Sequence, residues 1–169
     1  MQQNAASPRH LLVLDPRQPG WGTQLALAAD DVSVLVLDTA RDGLAQAAEV
    51  AAELAPLESI RLAGPGGAGW VVLGTIALEP EMVEERGWVL AALGAALCPE
   101  GQLELPGPAG MGAIGGRLVA ALGRATGRDV AAAGHLAGRK PAAGTALSHS
   151  PAWTCAFTAP AMAGTASPG

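Results

Sequence analysis

Short apolar runs rich in β-branched residues alternate along this chain with stretches of helical spacing, and that alternation predicts an α/β layered fold with a mostly parallel central sheet. Three observations carry the expectation. Val32 to Leu37 (VSVLVL) is a β-branched run closed by Asp38. Leu44, Ala47, Ala48, Ala51 and Leu54 recur at helical spacing behind Asp42. Leu103 to Gly127 (LELPGPAGMGAIGGRLVAALGRATG) reads as a strand, a glycine-rich bend and a helix. In such a sheet the bend at the carboxyl end of a strand is where ligands and catalytic groups collect. Here that bend holds Pro106, Gly107, Pro108, Ala109 and Gly110, whose side chains cannot donate a proton, attack a carbonyl or bind a metal.

Taken in order, residues 1–9 are polar and read as a disordered arm. His10 to Leu14 (HLLVL) is a compact apolar run broken by Asp15-Pro16, a buried strand followed by a turn. Thr23 to Ala29 fits a short helix, and Val32 to Leu37 the second strand. Asp42 is an N-cap for the helix that Pro56 stops. Ser59 to Ala63 is a third strand. The glycines from Gly64 to Gly69 then lead into two β-like pieces, Trp70 to Leu73 and Thr75 to Leu78, a small hairpin through Gly74. Glu79-Pro80-Glu81 opens a helix expected to run to about Leu97, with proline in the first turn and acids at the positive end of the dipole. Leu103 to Leu105 is a fourth strand, Ile114 to Ala125 a helix stopped by Gly127, and Asp129 to Ala133 a fifth strand. Residues 10–140 thus make one α/β domain. From Pro141 to Gly169 no Asp, Glu, Lys or Arg occurs and prolines recur, so 141–169 reads as a poorly ordered tail in which Trp153 to Phe157 could pair at a sheet edge.

The totals narrow the function classes. The 169 residues fit a single domain, 50% of them are hydrophobic, and only 15% are charged, too few for a solvated disordered chain. Aromatic residues are scarce, so the core must be Ala, Leu and Val. The net charge of −5 and the scatter of the ten basic residues argue against nucleic acid as a partner. The opening residues lack the apolar core of a signal peptide, and no stretch has the roughly 18 apolar residues of a membrane span. Cys98 and Cys155 have no metal-ligand spacing and allow one disulfide at most.

Each candidate site has an ordinary reading beside it. Gly64, Gly66 and Gly69 match Gly-x-Gly-x-x-Gly, but a strand-like segment follows where a dinucleotide fingerprint needs a helix, so a turn into a hairpin suffices. Gly110, Gly112 and Gly115 match it between a strand and a helix, but Asp129 opens the next strand where a ribose-binding acid would close it. Asp15 and Asp38 both end parallel strands and could face one another as paired acids for a proton or a cation; strand-ending Asp is also an ordinary turn former. The histidines are His10, His135 and His149, and nothing in the sequence brings one to a thiol. Cys98 ends an apolar helix and is expected to be packed. Trp21, Trp70, Trp88 and Trp153 are scattered and are expected to pack in the core. No cofactor or metal site emerges.

From about Leu11 to Gly138 the chain resembles the uncharacterised caspase-like domain found near the amino end of very large bacterial surface proteins and adhesins, which often continue into cadherin-like or calcium-binding repeats. The matching pieces are LLVLDPRQPGW, VSVLVLDTARDGLAQ, SIRLAGPGGAGWVVLG, the acidic-start helix, LELPGPAGMGAIGGRLVAAL and ATGRDVAAAGHLAG. The most specific are Asp-Gly-Leu-Ala-Gln and Thr-Gly-x-Asp-Val-Ala-Ala. The resemblance implies a three-layer caspase-like sandwich related to clostripain and gingipain, in which the third strand ends in Ser-His-Gly and the fourth in Tyr-Gly-Cys, with the His as general base for the thiol. Those positions here are Gly64, Pro65, Gly66 and Pro106, Gly107, Pro108. The flanking Gly64, Gly66 and Gly107 keep the bends, and both reacting side chains are replaced by proline. The resemblance therefore implies a degenerate, non-catalytic binding or scaffold module, secreted or at the cell surface, with Asp15, Asp38, Gly64, Gly66 and Gly107 on the site rim. Further domains of a larger polypeptide would be its neighbours. The alternative is an enzyme, either a cysteine hydrolase using Cys155 and His149 or a nucleotide-binding protein on the second glycine loop.

Overall fold

The computed structural model describes residues 8–132 and the backbone of 135–137. Strand β1 (His10–Leu14) is buried at every residue, because successive side chains point to opposite faces and both faces are covered. Leu11 and Val13 enter one apolar cluster, and Leu12 and Leu14 enter another. Around it lie β2 (Val32–Val36), β3 (Leu57–Ala63), β7 (Leu97–Leu105), β8 (Asp129–Ala132) and β9 (His135–Ala137), in the order β2-β1-β3-β7-β8-β9. The first five are mutually parallel and β9 runs antiparallel to β8. The predicted mixed α/β layering is therefore the observed one. A second sheet is made of β4 (Gly66–Gly67), β5 (Trp70–Leu73) and β6 (Ile76–Leu78), all antiparallel.

Helices α2 (Gly43–Leu54), α4 (Gly87–Ala96) and α5 (Gly112–Thr126) cover the Leu11/Val13 face. Leu44, Ala47, Leu90, Leu93, Leu118 and Leu122 meet Ile60, Leu62 and Leu103 there. α3 (Pro80–Glu85) packs beside α5. The opposite face is served by the segment that follows α1 (Trp21–Ala26), whose Ala28 and Ala29 pack on Leu12, Leu14 and Ala63.

The differences from the sequence reading have local causes. The helix expected from Glu79 to about Leu97 is two helices, divided at Arg86-Gly87, where glycine weakens the turn and Arg86 reaches out to Asp42 at 2.6 Å. The fourth strand starts at Leu97, well before Leu103, so Cys98 lies in β7 and does not end a helix. Pro99 is accommodated because the β3–β7 register shifts between Leu57 and Ser59 there. β4 joins the expected hairpin as a third strand, and β9 adds an antiparallel strand after the last predicted one. Trp88 is 73% exposed and Trp70 39%, so these two are not core residues. Residues 1–7 of the arm expected at 1–9, the tail at 141–169 and the pairing expected of Trp153 to Phe157 lie outside the described residues.

Candidate functional site

β3 and β7 are neighbours and parallel, so the loops leaving their carboxyl ends start side by side. The first loop carries Gly64 and Pro65 and turns into β4. The second carries Pro106 and then a single 3-10 turn, Gly107–Gly110, that includes Pro108. β4 packs against that turn. The Gly69 N–H donates to the Ala109 carbonyl at 2.9 Å, and the Val72 N–H donates to the Pro65 carbonyl at 2.8 Å. Pro65 and Pro108 are thus on two adjoining loops at one end of the sheet. Pro65 is half-buried, whereas Gly107 and Pro108 are exposed.

Both glycine motifs serve packing in this place. A Cβ at Gly64 or Gly66 would collide with the carbonyl oxygens of Val72 and Trp70 in the adjoining hairpin. Gly110 lies on Ala132, and Gly115 lies on the backbone of Gly110, so the α5 amino end sits directly on the 3-10 turn. That close approach accounts for Gly110 and Gly115, and a φ of +69° accounts for Gly112. What the loops present is apolar: Met111 and Ile114 are 52% and 55% exposed, Ile114 rests on Gly69, and the Trp70 ring lies over Gly67.

The two acids expected on the rim have different surroundings. Asp15, at the end of β1, is fully buried and accepts hydrogen bonds from the Arg17 backbone N–H (2.9 Å), Arg17 Nε (2.8 Å), an Arg17 terminal nitrogen (2.5 Å) and the Gly74 N–H (2.9 Å). The same arginine donates to the Gly74 carbonyl at 2.6 Å. Burial pushes the Asp15 carboxyl up, but these donors outweigh it and hold it below the usual carboxylate range. Asp38 is exposed, and its carboxylate accepts from the Ala40 N–H at 2.9 Å, an ordinary turn. Among the described residues no group of three or more His, Cys, Asp or Glu could hold a metal ion.

At the other end of the sheet lies a polar arrangement that sequence reasoning missed. His10, Ser59, Gln102 and Asp129 occupy one row across four strands, and Arg61 stands beside Glu104 in the next. His10 Nδ1 is 2.8 Å from Ser59 Oγ, and Nε2 is 3.7 Å from an Asp31 oxygen. Burial lowers the His10 pKa, with Asp31 and Glu58 opposing it. The row has the composition of a hydrolytic relay, yet Ser59 is 1% exposed, so no substrate reaches its hydroxyl. Burial likewise lowers Arg61 to about 10, opposed by Glu104, and raises Glu104, opposed by the hydrogen bond that Gln102 donates at 2.8 Å and by Arg61. The signal for this row was alternation: polar residues two apart within apolar strands. A groove of about 310 Å³ between α3 and α5 is lined by Glu81, Glu84, Arg117 and Arg124 and by no residue of either proline loop. His149 and Cys155 lie outside the described residues, and of His135 only the backbone is described.

Fold and rim together define a mostly parallel α/β domain whose two central strand-end loops carry proline where chemistry would be sought. The chain belongs to the family described as Domain of unknown function (DUF4347), whose model matches residues 11–152. No curated protein and no solved structure matches the chain. Among the described residues no helix is long and apolar enough to cross a membrane.

Proposed function

We propose that this chain is a non-catalytic caspase-like domain acting as a binding or scaffold module of a bacterial surface or secreted protein. One observation carries the reading. The two positions where the resemblance puts a general base and a thiol, Pro65 and Pro108, fall on adjoining loops at the carboxyl ends of neighbouring parallel strands. Proline has neither a nucleophile nor a proton-transfer group, so loss of both partners removes covalent catalysis and leaves whatever the surface can bind. The half-exposed Trp70, Met111 and Ile114 around these loops suit binding.

The test is direct. The full chain is incubated with fluorogenic peptides bearing Arg or Asp at the scissile bond and with thiol-directed peptidyl electrophiles. The expected outcome is no turnover and no peptide-dependent labelling. Steady cleavage of either peptide class would overturn the reading.

A further inference from the structure

β2 is the outermost strand of the large sheet, and among the described residues it pairs with β1 alone. The Leu37 N–H donates to the Leu14 carbonyl at 2.8 Å. By the alternation of a parallel ladder, Leu35 and Ser33 also turn their backbone groups toward β1, while Val34 and Val36 turn theirs outward. Edge strands are usually protected by proline, lysine or an inward charge. Val32–Val36 (VSVLV) has none of these. Val36 is 39% exposed, as is Leu27 just beyond α1, and Leu25 is 42% exposed. Acids stand at both ends: Asp30 and Asp31 before the strand and Asp38 after it, with Asp30 and Asp38 exposed.

That charge pattern selects the occupant. A second copy pairing antiparallel about Val34 would set Asp30 of one chain against Asp38 of the other, which like charges disfavour. A strand with basic residues at its two ends would match both acidic ends. We propose that the outer edge of β2 is a strand-addition site for an extended segment of a partner protein, apolar or threonine-rich in its middle and flanked by Lys or Arg. Main-chain hydrogen bonds to Val34 and Val36 supply the docking, and the flanking acids set the preference. This edge lies two strands from the proline loops, and the proposal does not depend on the function proposed for them.

The probe is a capped seven-residue peptide of alternating Val and Thr with a Lys at each end, compared with the same peptide ending in Glu. Amide exchange of the full chain is read by NMR. The Lys-ended peptide is expected to slow exchange at Val34 and Val36 about tenfold and to bind roughly five- to tenfold tighter than the Glu-ended one. Asp30→Lys together with Asp38→Lys should reverse that order; both positions are exposed, and the one hydrogen bond given up, from the Ala40 N–H to Asp38, lies in an exposed turn. The proposal is overturned if neither peptide slows these amides, if both act equally, if the charge-reversed chain keeps the original order, or if Val34 and Val36 are already protected in the free chain.

Discussion

Asp15 joins the sheet to the small hairpin through one buried carboxylate, four donated hydrogen bonds and a guanidinium that also reaches Gly74. Its pKa is below the ordinary value in the folded chain, so the unfolded chain binds the proton more readily. Its contribution to stability is therefore complete above the usual carboxylate range, near pH 4, and is lost as the pH falls through the depressed value. Asp15→Asn should cost about 2–3 kcal/mol at neutral pH, the worth of hydrogen bonds to a buried charged group, and should flatten the acid limb of stability. Urea midpoints between pH 3 and pH 7 check this; parallel curves for the two chains would refute it. The sequence showed that Asp15 ends a strand and begins a turn. It could not show the partner at Gly74, which is distant in the chain, or that Arg17 would fold back on its neighbour. The Arg61–Glu104 neighbours escaped notice for the same reason: each looks like a stray charge in an apolar strand until the β3–β7 register sets them side by side.

Among the elements, the hairpin is fixed at its turn. Gly74 has φ +62°, its backbone is held by Asp15 and Arg17, it pairs with Asp42, and the Thr75 N–H donates to the Arg41 carbonyl at 3.0 Å. Gly74→Ala places a Cβ in a left-handed conformation and against the Arg41 carbonyl. It should cost at least about 1 kcal/mol and speed amide exchange in β5 and β6 before β1 is affected; unchanged exchange there would argue against this anchoring. Asp42 has two tasks: it caps α2 through the Ala45 N–H at 3.0 Å and pairs with Arg86 at 2.6 Å between α3 and α4. Asp42→Ala should lose about 1–2 kcal/mol, whereas Asp42→Asn keeps the cap and should lose less than half of that, as thermal melts would show. The Asp42 cap and the Gly127 stop were legible in the sequence because capping chemistry is local. β4, the early start of β7 and β9 were not: Gly66–Gly67 and His135–Ala137 are too short to show a strand pattern before their neighbours pair with them, and Leu97 to Gln102 becomes strand only by pairing with the distant β3.

At the scale of the whole molecule, five parallel strands bring the β3 and β7 loops together, and α5 is seated on the second of them through Gly110 and Gly115. The parallel layering was readable because each strand was an apolar run bounded by a turn signal. The place of Pro65 and Pro108 at strand-end bends was readable too, and such bends are where α/β sheets put ligands. What fills them was not, because prolines and glycines carry no chemistry from which a ligand can be inferred. In the function we propose, these loops are a base-and-thiol framework without its reacting groups. The most direct measurement restores them: the thiol pKa is followed by ultraviolet absorbance in Pro108→Cys alone and in Pro65→His with Pro108→Cys. If the two loops form one site, the introduced imidazole lowers the thiol pKa in the double variant relative to the single one. Equal pKa values in the two chains would contradict the account.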